Sequence, residues 1–108
     1  MMKTYIYKGI GIEDDAFLRD KAPMTKAEVR AVTISKLKPQ RGDLVVDIGA
    51  GTGSVSIECG FLAQRVLSVE CDQAAADLIS KNAERFGLAN IDVLVGMAPE
   101  VLSGIQCA

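Results

Sequence analysis

The segment Val45–Glu58, VVDIGAGTGSVSIE, decides the fold class of this chain of 108 residues. It overlaps a short β-branched run, Leu44–Ile48, of the kind that forms a strand buried on both faces of a parallel sheet. Glycine then occurs at three alternating positions, Gly49, Gly51 and Gly53, and glycine allows the positive φ angles of a tight turn. The segment therefore predicts a strand and a glycine loop that opens a helix.

Strand-like and helix-like segments alternate along the rest of the chain. The predicted strands are 44–48, 65–70 and 91–95, and the predicted helices begin at Thr25, Ser54 and Gln73. Thr25 and Glu28 fit a capping box, Asp72 is a capping residue for the helix that follows it, and Gly87 is suited to end that helix. This alternation predicts an α/β fold of the Rossmann-like type, a right-handed βαβαβ unit with a parallel sheet over 25–108. Residues 1–24 form an N-terminal arm with a short helix within 13–20, and the whole is one domain.

The composition restricts the classes of partner. With 49% hydrophobic and 24% charged residues the chain is expected to be globular and soluble. A net charge of −2 gives no basic face for nucleic acid. No apolar run approaches the roughly 20 residues that cross a bilayer, so we expect no membrane partner and a cytoplasmic location.

The inventory of reactive side chains is short. The three cysteines lack the spacing of a metal site and are interpreted as reduced structural thiols. The absence of histidine removes the usual general base and the commonest zinc ligand. We therefore predict no metal site and identify no catalytic acid or base in the sequence.

The glycine spacing distinguishes between nucleotide ligands. A dinucleotide fingerprint reads G-x-G-x-x-G, because the pyrophosphate needs the helix N-terminus, whereas the loop Gly49-Ala50-Gly51-Thr52-Gly53 reads G-x-G-x-G. Asp47 lies two residues before the loop. S-adenosylmethionine carries a sulfonium and no phosphate, so acidic groups beside the loop favour it over a dinucleotide.

Other candidate residues follow the remaining strands. Glu70 ends the second strand, where a carboxylate can accept hydrogen bonds from both ribose hydroxyls. Gly96 follows the third strand. Asp47 either orients the glycine loop or helps to hold the ammonium group of the ligand, and the first role is slightly favoured. Ligand sites in open α/β sheets lie at the carboxyl ends of the strands, so these residues are expected to meet.

Three segments resemble the class I methyltransferases: LVVDIGAGTGSVSIE over 44–58, VLSVECD over 66–72 and NIDVLVGMAPEVL over 90–102. Together with Pro23-Met24-Thr25-Lys26 and Glu28-Val29-Arg30-Ala31, they resemble more narrowly the CbiT family. These are the decarboxylating precorrin-6Y (cobalt-precorrin-6B) C15-methyltransferases of cobalamin synthesis.

The resemblance implies methylation of C15 of a corrin precursor, with loss of the C12 acetate carboxyl group as carbon dioxide. Its cofactor, S-adenosylmethionine, would map onto Thr25, the run Gly49–Gly53, Glu70 and Ala98. The substrate would be a small tetrapyrrole and the assembly a homo-oligomer, a tetramer in the family. Where the superfamily often has Gly-Asp-Ala, this chain has Gly96-Met97-Ala98, so an acidic contact to adenine is absent.

Three other functions stay open. One is a methyltransferase acting on tRNA or protein, and another is a nicotinamide-dependent oxidoreductase, which the glycine spacing disfavours. The third is a non-catalytic cofactor-binding fragment, because the family continues through a fourth strand and the chain is interpreted as a C-terminally truncated half. Without that strand, Leu44–Ile48 would be a bare apolar edge, so we expect instability or self-association.

Overall fold

A computed structural model describes residues 8–96, and these form a three-stranded parallel sheet with helices packed against it. The strands are β1 (Leu44–Ile48), β2 (Arg65–Glu70) and β3 (Ile91–Val95), in the spatial order β1-β2-β3. The helices are α1 (Ala27–Leu37), α2 (Ser54–Gly60) and α3 (Gln73–Arg85), preceded by a 3-10 helix at Asp14–Ala16. The predicted βαβαβ unit with its preceding helix and parallel sheet is confirmed.

One face of the sheet carries the core. Val45, Val66 and Ile91 are partners across the three strands, so their side chains lie in one row on the same face. Ile34 of α1 and Cys59 of α2 are buried against this row. Burial raises the pKa of the Cys59 thiol to about 11, with a smaller contribution from the carboxylates of the same region.

The opposite face of β1 is not buried. Leu44 and Ile48 point away from Val45 because side chains alternate along a strand, and they are 48% and 56% exposed. The interpretation of Leu44–Ile48 as a strand buried on both faces is therefore wrong for the described residues. The physical reason is position. β1 is an edge strand of this sheet, and α2 packs on the face that carries Val45, not on the face of Leu44 and Ile48.

Helix α1 begins later than the capping box predicts. Its N-cap is Lys26, which makes no side-chain capping bond, so the predicted Thr25 cap is wrong. The Thr25 carbonyl instead accepts a hydrogen bond from Arg30 Nη1 at 2.5 Å, which holds Thr25 outside the helix. The predicted cap at Asp72 is confirmed by its bond from the Ala75 N–H at 2.9 Å.

Residues 11–25, which we call the N-terminal strap, run across α2 and α3 before α1 begins. Ile12 and Phe17 of the strap are buried in the core, and the centres of the Phe17 and Phe86 rings are 5.2 Å apart. The predicted helix within 13–20 is reduced to the single 3-10 turn. Ala98 lies outside the described residues. None of the helices within 8–96 has the length and apolar character needed to cross a membrane.

Candidate functional site

The glycine loop between β1 and α2 has positive φ at each glycine: 71° at Gly49, 62° at Gly51 and 84° at Gly53. Two of them also face close neighbours. A Cβ at Gly51 would lie 2.4 Å from the Pro23 carbonyl oxygen, and one at Gly53 would lie 2.9 Å from Ile79 Cγ2. A Cβ at Gly49 would meet nothing within 4 Å. The loop is thus packed against the strap and α3 and open only at Gly49.

Every backbone N–H of the loop already has an acceptor within the protein. The acceptors are the Val69 carbonyl for Gly49 and Ala50, Glu70 Oε1 for Gly51, the Pro23 carbonyl for Thr52 and the Ala50 carbonyl for Gly53. A phosphate bound through these loop N–H groups would have to displace these bonds. The side-chain hydroxyl of Thr52 is buried and has no hydrogen-bond partner among residues 8–96.

Glu70 joins the three segments that follow the strands. Its carboxylate accepts from the Gly51 N–H at 3.0 Å and from the Asp72 N–H at 2.9 Å. Its backbone carbonyl accepts from the Gly96 N–H at 3.0 Å. Each carboxylate oxygen has a second lone pair, so the group can accept further hydrogen bonds from a ligand.

Asp47 is connected to α2. Its Oδ2 accepts from the Ser56 hydroxyl at 2.7 Å, and the Ser56 oxygen accepts from the Ser68 hydroxyl at 2.6 Å. Burial raises the pKa of Asp47, the hydrogen bond from Ser56 opposes this, and the negative charge of Glu70 adds to the rise. The loop therefore lies beside two carboxylates that repel each other, and an anionic ligand would add to that repulsion.

Two cavities flank Pro23. The larger, about 390 Å³, lies between the strap and the start of α3 and includes Lys21, Glu70 and Leu78 in its lining. The smaller, about 200 Å³, is lined by Met24, Thr25 and the run Gly49–Gly51. The structure thus brings Thr25 to the glycine loop and Glu70 to the adjacent cavity. The linings of these two cavities do not include Asp47, Thr52, Gly53 or Gly96.

A buried ion pair that the sequence analysis missed holds the strap in place. Arg30 Nε donates to Glu58 Oε2 at 2.6 Å, and both side chains are fully buried. Glu58 also accepts from the N–H groups of Gly11 and Ile12 at 2.9 and 3.0 Å. Arg30 Nη2 donates to the Ile12 carbonyl, and the guanidinium carbon lies 4.9 Å from the centre of the Phe17 ring.

The sequence contains a signal for this pair. Arg30 is four residues before the buried Ile34, so it lies on the inward face of α1. Glu58 is the one charged residue in the otherwise apolar or small helix SVSIECG. A charge on an inward helix face needs a buried partner, and this rule would have pointed to both residues.

The parallel sheet, the glycine loop with internally satisfied N–H groups and the acid after β2 define a class I methyltransferase fold. The family model of the precorrin methyltransferase domain matches residues 15–107. The chain belongs to that family.

Relatives agree with this assignment. A probable cobalt-precorrin-6B C(15)-methyltransferase (decarboxylating) of Pyrobaculum calidifontis is 50% identical over 97% of this chain and 56% of its own length. A precorrin-8w decarboxylase structure from Methanobacterium thermoautotrophicum has a TM-score of 0.84 and 34% identity, over 87% of this chain and 52% of that one. A precorrin-6y C5,15-methyltransferase structure from Geobacter metallireducens has a TM-score of 0.81 and 42% identity, over 87% and 50%. The chain thus spans about half the length of these relatives.

Proposed function

We propose that this chain binds S-adenosylmethionine at the two cavities beside Pro23. The observation that carries the proposal is the chemistry of the glycine loop: its five N–H groups are satisfied by protein oxygens, and Asp47 and Glu70 lie beside it. Such a site suits a ligand with a positive charge and no phosphate. When bound, the cofactor supplies an electrophilic methyl group.

The chain's own residues have separate tasks in this proposal. Glu70 accepts hydrogen bonds from the ribose hydroxyls, as the corresponding acid does in dinucleotide folds. Thr25 and the backbone of Gly49–Gly51, which line the smaller cavity, would hold the end of the ligand that carries the amino acid group. Asp47 lines neither cavity and would act on the ammonium group through its negative charge. The strap limits the entry of water. Holding the methyl carbon in line with its nucleophile would supply several kcal/mol, up to about 10.

Titration calorimetry tests the cofactor proposal directly. S-adenosylmethionine should bind the chain, whereas NAD should show no heat of binding under the same conditions. Glu70→Gln should weaken binding because the amide has fewer acceptor lone pairs and no charge. The matched control is Asp92→Asn, which removes an exposed carboxylate from β3 that pairs with Arg65 on the surface. Binding of NAD without binding of S-adenosylmethionine would refute the proposal.

For the whole protein we propose methylation of C15 of a precorrin-6B-type tetrapyrrole with loss of the C12 acetate carboxyl group as carbon dioxide. The names of the relatives support this substrate class. The second candidate is a cofactor-binding fragment without turnover, which the coverage of about half of each relative favours. Mass spectrometry of the tetrapyrrole after incubation separates the two: an enzyme adds one methyl group and removes one carbon dioxide.

We further propose a homo-oligomer acting on a small molecule in the cytoplasm, with no nucleic acid or membrane partner. The exposed apolar side chains of β1 support self-association. Sedimentation velocity of the purified chain checks the oligomeric state, and a monomer at all concentrations would contradict it.

A further inference from the structure

Asn82 of α3 is a fully buried polar residue on the inward face of its helix, beside Ile79 and Ala83. Its Oδ1 accepts from the Leu18 N–H at 2.7 Å. Its Nδ2 donates to the Leu18 carbonyl at 3.0 Å and to the Thr52 carbonyl at 2.9 Å. One amide thus connects the strap, α3 and the glycine loop.

Thr52 of the glycine loop, whose carbonyl accepts from Asn82, is also held by the strap. The Thr52 N–H donates to the Pro23 carbonyl at 3.3 Å, so both backbone polar groups of Thr52 are fixed, one by the strap and one by Asn82. Leu18 and Pro23 in turn delimit the part of the strap that crosses the loop. The strap supplies Asp20 to Pro23 to the larger cavity and Pro23 to Thr25 to the smaller one. If the strap leaves Asn82, both cavities lose a wall.

We propose that Asn82 is a positioning residue for cofactor binding, which acts by holding the strap and the glycine loop in register. This inference rests on the proposed binding of S-adenosylmethionine. Part of the affinity for the cofactor would then depend on Asn82, although Asn82 lines neither cavity. If removal of the bonds leaves the strap docked in about a tenth of the molecules, the apparent dissociation constant rises about tenfold.

The test uses the whole 108-residue chain and two variants. Asn82→Asp keeps the shape but replaces both donated bonds by an acceptor facing two carbonyls, and Asn82→Leu removes all three bonds. The matched control is Asn90→Leu. Asn90 Nδ2 donates to three backbone carbonyls, those of Gly60, Ala63 and Gln64, at the amino end of β3, away from the site.

Calorimetry with S-adenosylmethionine should give a dissociation constant about tenfold higher for both Asn82 variants and an unchanged one for Asn90→Leu. Urea unfolding of all three identifies a general loss of stability. Trypsin supplies a readout specific to the strap, since Arg19 and Lys21 are exposed there. Cleavage after these residues, relative to cleavage after Lys81, should accelerate in the Asn82 variants alone.

The unmodified protein provides an independent arm in case a variant fails to fold. Saturating S-adenosylmethionine should slow trypsin cleavage after Arg19 and Lys21 more than cleavage after Lys81. The inference would be overturned if wild type and Asn82→Asp had the same dissociation constant for S-adenosylmethionine, or if Asn90→Leu lost as much affinity as the Asn82 variants. It would also be overturned if S-adenosylmethionine did not slow cleavage after Arg19 and Lys21 more than cleavage after Lys81. Failure of the wild type to bind S-adenosylmethionine would instead refute the proposed function, so the two failures are distinct.

Discussion

Two regions of this small domain are built from different chemistry. Around the strap, buried polar groups connect the strap, the glycine loop and α3 through hydrogen bonds that Arg30 and Asn82 donate and that Glu70 accepts. Elsewhere, the outer face of α1 and the free face of β1 expose large apolar side chains. These are Val29, Val32, Leu37, Leu44 and Ile48, which we call the apolar edge.

The difference shows which part of the chain is internally complete. Buried polar groups cost free energy unless they are hydrogen-bonded, and the buried side chains of Arg30, Glu58 and Asn82 have their partners within this chain. Covering exposed apolar side chains is favourable, and the side chains of the apolar edge are exposed in this structure. The buried contacts of the strap are therefore made within the described residues, whereas the apolar edge is suited to contact with further protein. Four sets of variants test this comparison.

The largest effect is expected from Arg30→Met. It leaves Glu58 buried without its ion-pair partner, and breaking a buried pair in this way costs about 3–5 kcal/mol. The matched control, Arg65→Met, removes an exposed pair with Asp92 at 2.8 Å and should cost less than about 1 kcal/mol. Urea unfolding followed by circular dichroism measures both.

A second change sharpens the interpretation of this pair. Adding Glu58→Met to Arg30→Met should recover only part of the lost stability, because the N–H groups of Gly11 and Ile12 then lose their acceptor. Similar costs for Arg30→Met and Arg65→Met would contradict the view that the strap is held mainly by Arg30.

The next effect concerns two glycines of one loop. Gly49→Ala and Gly51→Ala both place a Cβ at positive φ, which costs about 1–2 kcal/mol. Only Gly51→Ala also drives a Cβ into the Pro23 carbonyl, so it should lose more stability and expose the strap to trypsin after Lys21. Equal stability and equal cleavage rates in the two variants would show that the strap does not rest on the loop.

The fold and much of the site could be predicted because their signals are local. A β-branched run, alternating glycines and an acid at the end of a strand each lie within a few residues, and parallel strands bring their ends together. The bonds that hold the strap are different. Leu18 and Asn82 are 64 positions apart, and Gly11 and Glu58 are 47 apart, so local periodicity cannot pair them.

The errors have the same origin. The Thr25 capping box satisfied the local pattern, but the guanidinium of Arg30, which the distant Glu58 holds in place, takes the Thr25 carbonyl. The β-branched run of β1 is suited to burial on both faces, but burial depends on which elements cover the strand. Tertiary context decided both cases.

A smaller effect with a definite sign is expected from Asp47→Asn. The pKa of Asp47 is raised from 3.8, so the folded state binds this proton more tightly than the unfolded state does. The free energy of unfolding therefore falls as the pH rises from 3.8 towards the higher pKa of the folded state. The amide should therefore increase the free energy of unfolding at pH 7, and this gain should disappear at a pH below the unfolded pKa. Urea unfolding at pH 7 and pH 3.5 measures this.

The same variant should weaken binding of S-adenosylmethionine, since it removes a negative charge beside the loop. Ser56 can still donate to the amide oxygen, so the contact to α2 is retained. Ser56→Ala, which removes the donor and keeps the carboxylate, is the control. A destabilised Asp47→Asn at pH 7 would contradict the expected sign and show that the folded protein favours the charged form of Asp47.

The smallest effect on stability, and the clearest effect on assembly, is expected at the apolar edge. Val32→Lys together with Ile48→Lys should change the free energy of unfolding by no more than about 0.5 kcal/mol per site, because both side chains are more than half exposed. Sedimentation velocity should nevertheless shift from oligomer towards monomer, since lysine on an edge strand opposes pairing with another chain. Ser80→Lys adds one lysine at an exposed position on α3, to be compared with each single lysine variant, and should leave the oligomer intact. If the wild-type chain is instead a stable monomer that the lysines do not alter, the apolar edge is not a site of self-association. The difference between the two regions would then concern stability alone.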